Sequence, residues 1–312
     1  VEKTIEIVLP VFGVMACGWF FSRRNLISDA GITGIVNFIF YLAIPALLFR
    51  TLASGAVQEQ FDAHLIFGYF SAALTCYGIS WLISRKVFRN PADASALGAM
   101  GATFSNSVLI GLPFVQRAYG DAGLVPLMLI VMVHSSILFT TTTLAVGLGR
   151  PDGGRWYMTL AKTLRSVLLN PIVLGALSGL AFGLTGLHLP GVADDTLSLI
   201  GRAAAPVSLF AVGATLASCK IAGDLRESVT MSLLKLLLLP ILVFISTHFI
   251  FGVKPEWVTV AVIAGAMPAG ANVYVFARKF DVYVQRATAI VVISTVGSVL
   301  TLTALVATLP AP

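Results

Sequence analysis

Charge is what this sequence has least of. Only 11% of its 312 residues are Asp, Glu, Lys or Arg, against about 25% in an ordinary soluble domain. The shortage runs the whole length of the chain. That excludes a soluble fold hung from one anchor and leaves an all-α polytopic membrane protein, with 57% hydrophobic residues and a mean hydropathy of +0.93. Cysteine is scarce as well: Cys17, Cys76 and Cys219 are scattered in or beside apolar segments with no CxxC spacing. They read as small hydrophobes rather than disulfide or metal partners. The formal charge of +6 has no basic cluster interleaved with aromatics behind it, so no nucleic acid partner is expected. Neither HExxH nor GxSxG occurs, and His64, His134, His188 and His248 are dispersed, which argues against an intramembrane enzyme, a metal site and any cofactor. No Asp or Glu lies deep in an apolar segment, Glu6 and Glu227 being near segment ends. A sodium or proton site built from carboxylates is therefore disfavoured, and the coupling ion stays open.

What is present is a succession of apolar runs. Crossing the hydrocarbon takes about 20 largely apolar residues, and ten such segments can be placed: Thr4–Ser22, Gly31–Leu52, His64–Ser84, Ala94–Tyr119, Leu124–Leu148, Thr163–Leu187, Thr196–Ala217, Ser228–Phe251, Trp257–Lys279 and Val284–Leu309. Fourteen Lys and Arg residues fall at connections on one side, among them Arg23, Arg85, Arg165, Arg226 and Arg286, against five on the other: Lys3, Arg50, Arg117, Arg202 and Lys254. The first side is expected to be cytoplasmic, with both termini outside a bacterial cytoplasmic (inner) membrane. Lys235 lies inside its segment and is expected to snorkel its ammonium to the cytoplasmic surface. The longest hydrophilic connection, 149–162, falls at the midpoint and divides the chain into units 1–148 and 163–312.

Two segments carry residues that interrupt a helix. Around Ser105, Asn106, Ser107, Gly111 and Pro113 the fourth segment combines polar side chains, a flexible glycine and a ring that clashes with the carbonyl four residues back. The ninth does so at Met267–Tyr274, with Pro268, Gly270, Asn272 and Tyr274. In lipid such breaks are tolerated only where they are buried in protein or line a wet cavity. If the two breaks meet, the later half-helices present N-termini that favour an anion such as a carboxylate, and the earlier ones present carbonyls that favour a cation or water. Asn106 and Asn272 can donate to a carboxylate, Ser105 and Ser107 add hydroxyls, and Tyr274 adds an aromatic wall with a polar tip. Pro45 and Pro206 either kink helices bordering the site or pack. His134 could titrate or be a neutral packing residue; Arg202 could contact an anion or snorkel outward.

Sliding the chain against itself by 161 residues sets Pro10 on Pro171, Gly18 on Gly179, Ile44–Phe49 on Ala205–Phe210 and Arg117-Ala118-Tyr119 on Arg278-Lys279-Phe280. With five spans in each half, such a repeat is inverted across the membrane, as in many secondary carriers.

At these residues the sequence resembles the auxin efflux carrier family, and in particular bacterial members, some of which are described as malonate transporters. The likeness rests on FSNSVLIGLPFVQRAYG at Phe104–Gly120, PAGANVYVFARKF at Pro268–Phe280, IPALLFRTLA at Ile44–Ala53 and PVSLFAVGATLA at Pro206–Ala217, and covers essentially the full chain. The resemblance implies ten transmembrane helices in two inverted five-helix repeats, with crossed broken helices four and nine, an architecture similar to bile acid sodium symporters. It implies an elevator-type cycle for small organic anions, a homodimer, and a substrate carboxylate near the crossover, at Asn106 and Asn272 with Pro113 and Pro268 shaping the break. A passive anion channel is the alternative. The short midpoint connection leaves no place for the long regulatory loop of plant members.

Overall fold

The structure is a computed structural model that describes residues 2–55, 61–149, 160–162, 164–165, 168–219 and 221–309. Most of the midpoint connection 149–162 therefore lies outside the described residues. The elements are α1 (Glu2–Arg23), α2 (Asp29–Ala53), α3 (Ala63–Lys86), α4 (Ala92–Gly101), α5 (Ser107–Leu148), α6 (Pro171–Gly183), α7 (Gly191–Ser218), α8 (Leu225–Ile250), α9 (Pro255–Ala266), α10 (Asn272–Phe280) and α11 (Val284–Thr308). The chain is an all-helical membrane protein. Seven described helices, α1, α2, α3, α5, α7, α8 and α11, are long and apolar enough to span a bilayer.

The expected spans four and five differ from their sequence-based limits in an instructive way. Span four splits into α4 and the start of α5, and α5 then runs 42 residues into span five. It turns at Gly120, whose φ of 64° and ψ of −158° suit glycine better than any L side chain. Span nine splits into α9 and α10. With 10 and 12 residues, α4 and α9 reach only about 15–18 Å at 1.5 Å per residue, about half the hydrocarbon core.

Three helices carry a proline two residues beyond a wide, π-helical turn: Pro45 after Ile39–Ala43, Pro113 after Ser107–Gly111, and Pro240 after Leu234–Leu238. The wide turn is the local answer to the proline ring, which would otherwise strike the carbonyl four residues earlier. It lets the chain stay helical while freeing backbone oxygens for other partners. At Pro113 the freed oxygen is that of Leu109, and Ser208 Oγ of α7 donates to it at 2.9 Å.

Close packing sorts the helices into two groups. One joins α1 with α7 and α2 with α6 through glycine, as small residues allow between membrane helices. A Cβ on Gly18 would stand 2.0 Å from the Phe210 carbonyl oxygen, one on Gly213 1.8 Å from that of Met15, and one on Gly179 2.5 Å from that of Phe49. Arg50 of α2 and Asp194 of α7 add a two-pronged pair, at 2.7 and 2.9 Å. The other group joins α3, α4, α8, α9, α10 and α11, with α5 packed against both. This second group is knitted on its basic side by Glu227, whose fully buried carboxylate accepts from Ser84 Oγ, Asn90 Nδ2 and Arg286 Nη1, each at 2.8 Å. A buried carboxylate holds its charge at acceptable cost only when paired and hydrogen-bonded in this way.

The glycine contacts make a direct prediction. Gly213→Val or Gly18→Val drives α1 from α7, and the protein is expected to lose its monodisperse peak in detergent or to melt well below the parent. Gly13→Ala, where a Cβ meets nothing within 4 Å, is expected to be neutral or to stabilise by up to about 1 kcal/mol through helix propensity. Size-exclusion profiles and thermal melts of the three variants check this.

Candidate functional site

The two breaks meet. Ser105 and Ala269 form an antiparallel bridge, in which Asn106 N–H donates to the Pro268 carbonyl at 2.8 Å and Gly270 N–H to the Phe104 carbonyl at 2.9 Å. Two unwound strands inside a membrane protein thus satisfy one another as a two-bond sheet. The groups they cannot share are met by side chains. Ser105 N–H donates to His134 Nε2 at 3.2 Å and Ala269 N–H to Ser294 Oγ at 3.0 Å. Gly270 allows the approach, since a Cβ there would press on the Phe104 ring at 2.9 Å.

Each sequence-flagged residue can now be located. Asn106 caps α5, its Oδ1 accepting from Leu109 N–H at 3.3 Å while its carbonyl accepts from Ile110 and Gly111. Ser107 begins α5, and its buried hydroxyl has no hydrogen-bond partner among the described residues. Gly111 is buried at the end of the wide turn, and Pro113 follows it. Asn272 opens α10, and Tyr274 stands two residues on and 41% exposed. Ser105 turns its hydroxyl the other way, into the protein, towards Tyr69 Oη at 3.4 Å and Lys235 Nζ at 2.9 Å.

A cavity of about 480 Å³ reaches this junction. Asn106, Leu109, Ala271 and Tyr274 line its inner end, Val36, Val212 and Thr215 its wall on α2 and α7, and Cys219 and Gln285 its mouth beside the basic connections. Asn106 and Tyr274 thus share one space, whereas Asn272 is not among its lining residues. Arg202 lies elsewhere: with Arg50, Gln116, Asp121 and Asp194 it lines a second hollow, of about 510 Å³, at the opposite end. Between the two, Ile44, Leu47, Val108, Leu112, Pro113 and Ala204 close on a seam with no room for water. Neither Pro45 nor Pro206 lines either cavity.

Two ionisable side chains are buried. His134 is 3% exposed, packed among Tyr69, Phe70 and Phe104. Its Nε2 accepts the Ser105 N–H, a role filled by an imidazole that carries its proton on Nδ1. Lys235 does not snorkel. It is 0% exposed, and its ammonium donates to the Gly265 carbonyl at the end of α9 as well as to Ser105 Oγ. The correction has a physical cause: a stem of four methylenes reaches the freed carbonyls of a broken helix more readily than the membrane surface. Its position inside an apolar run, a rare and usually functional place for a charge, is the signal that could have found it. Among the described residues no three His, Cys, Asp or Glu side chains gather as metal ligands.

A many-helix membrane protein with a cavity ending on two interrupted helices has the build of a membrane transport protein. The family described as membrane transport protein matches residues 3–152 and 155–306, and the chain belongs to it, within the auxin efflux carriers. Among similar proteins, one from Rhizobium meliloti (strain 1021), provisionally named a malonate transporter, is 26% identical over 96% of this chain and 93% of its own. The uncharacterized transporter YfdV of Escherichia coli (strain K12) is 27% identical over 94% of each. Auxin efflux carrier component 8 of Arabidopsis thaliana is 21% identical over 91% of each. Membership makes the protein a transporter and not an enzyme.

The cavity geometry predicts thiol reactivity. In oriented vesicles a membrane-impermeant maleimide is expected to label Cys219 from the face that carries the basic connections, and to leave buried Cys76 untouched. Labelling of Cys219 from the other face alone would reverse the orientation.

Proposed function

We propose that this transporter is a secondary carrier of small organic anions, holding the substrate carboxylate where the two broken helices meet. The observation that carries the reading is the cavity ending on Asn106, Ala271 and Tyr274, beside the N-termini of α5 and α10. Each N-terminus carries about half a positive charge, so the pair favours one carboxylate. The Asn106 amide nitrogen adds a donor at the same end. A volume of about 480 Å³ suits a small dicarboxylate. Malonate is the leading candidate, supported by the Rhizobium meliloti relative named for it.

We read the fold as two inverted five-helix repeats, 1–148 and 163–312 about the linker 149–162. The packing supports this: the Gly18–Phe210 contact and the Gly179–Phe49 contact exchange under the 161-residue offset. On this reading α1, α2, α6 and α7 form a scaffold, and the helices tied by Glu227 form a body that slides past it. The cavity lies between these groups, opening towards the basic, cytoplasmic side, while the dry seam at Leu47, Pro113 and Ala204 closes the other route. That is the inward-facing stage of an elevator-type cycle, with both termini outside.

Uptake into proteoliposomes tests the site. Asn106→Ala and Asn272→Ala are each expected to abolish malonate uptake while leaving the size-exclusion profile intact. Full transport by both variants would remove the asparagines from the mechanism. Counterflow of labelled malonate against an unlabelled gradient, with saturation, is expected of a carrier; a passive channel gives neither.

A further inference from the structure

An anion in the cavity balances only half of the broken helices. Two interruptions create four ends, and while α5 and α10 point positive termini at the cavity, α4 and α9 end with carbonyls that carry about half a negative charge each. Those negative ends need a cation. Lys235 is aimed at them: its ammonium donates to the Gly265 carbonyl in the last turn of α9 and, at 2.9 Å, to Ser105 Oγ in the strand that continues α4. Among the described residues no carboxylate pairs with it, so the helix ends and these two oxygens offset a charge that is wholly buried. Carbonyl and hydroxyl oxygens converging at membrane depth are also the ligands that a bare hard cation takes. Lys235 gets there from the wide turn Leu234–Leu238 that Pro240 imposes on α8. It lines neither cavity and acts through Ser105, the neighbour of cavity-lining Asn106.

We propose that the Lys235 ammonium is a tethered cation, fixed where a free monovalent cation would otherwise balance the crossed helices, and that the carrier therefore moves its anion without binding sodium at this position. The proposal rests on the reading of the crossover as the transport site. Lys235 is on this view a positioning residue: it holds the negative ends together so that the positive ends face the substrate. Losing the charge leaves those oxygens without a partner and restores a demand for a diffusible cation.

The test uses the full chain, with thermal melts in detergent and malonate uptake in proteoliposomes, each in sodium chloride and in choline chloride. The wild type is expected to melt and transport alike in both salts. Lys235→Ala is expected to melt about 5 °C or more lower in choline, to recover when sodium or ethylammonium is supplied, and to transport only with such a cation present. Lys235→Met fills the space without the charge and is expected to be low in every salt. Sodium dependence of the wild type overturns the proposal, as do a Lys235→Ala that melts low without rescue, which reduces the residue to packing, and variants that match the wild type. Should neither variant fold, the response of the wild type decides: indifference to sodium supports the tethered cation, and a sodium-driven rise in melting temperature refutes it. A wild type that carries no malonate, with a Lys235→Ala that is rescued by cation, sinks the proposed substrate site and leaves the tethered cation standing.

Discussion

Everything in this structure hangs on the hydrogen bonds that two unwound strands exchange. A helix broken inside a bilayer exposes N–H and C=O groups that lipid cannot satisfy, at several kcal/mol for each. Here the breaks are set against each other, and the backbone groups find partners in turn. Phe104 N–H returns to Met100, Ser105 donates to His134, Asn106 to Pro268, Ala269 to Ser294 and Gly270 to Phe104. The Gly265 carbonyl is met by Lys235 and the Leu109 carbonyl by Ser208. The buried polar side chains around the junction are therefore the completion of two unfinished helices. Replacing His134, Ser294, Lys235 or Ser208 with an apolar residue leaves a backbone group stranded, a larger loss than that of one hydrogen bond.

This dependence explains what could be read from the chain and what could not. The breaks were legible because their causes are local: Asn106, Gly111 and Pro113 in one segment, and Pro268 and Gly270 in the other, disfavour a continuous helix by themselves. The apolar runs were legible for the same reason, through composition. The partners were not. His134, Ser294 and Lys235 serve backbone atoms 29, 25 and 30 residues away in sequence, and a backbone carbonyl leaves no trace in a residue alphabet. An isolated lysine near a helix end snorkels, which is all that the sequence suggests for Lys235; its real acceptor exists only once α9 has ended early. Glu227 reads in the sequence only as a carboxylate near a segment end, since Ser84, Asn90 and Arg286 become its neighbours only in the packed state.

Proline and its wide turn link this chemistry to the geometry. A proline in a membrane helix is usually regarded as a kink, yet Pro45, Pro113 and Pro240 each follow a turn that absorbs the ring and keeps the helix running. The useful product is the released oxygen or the rotated side chain. Pro113 frees the Leu109 carbonyl for Ser208, tying the interrupted helix to α7, and Pro113 itself stands in the dry seam between the two hollows. Pro240 accompanies the turn that carries Lys235. A rule about where the chain bends is thereby also a rule about which polar atoms are available.

The two helix groups differ in how they are held, and the difference bears on movement. Within the first, glycines bring carbonyls so close that no side chain could intervene, at Gly18 against Phe210 and Gly213 against Met15. Within the second, the Glu227 cluster ties α3, α8 and α11 through charge-assisted bonds. Between the groups lie a cavity and a seam lined mostly by apolar side chains, with the Ser208–Leu109 bond as a polar tie across them. This arrangement suits the sliding proposed above, because a slipping apolar surface strands few polar groups whereas a slipping hydrogen-bonded one strands many. In the proposed movement the crossover keeps its strand-to-strand bonds and its Lys235 contact, and the Ser208–Leu109 bond is a tie that has to break.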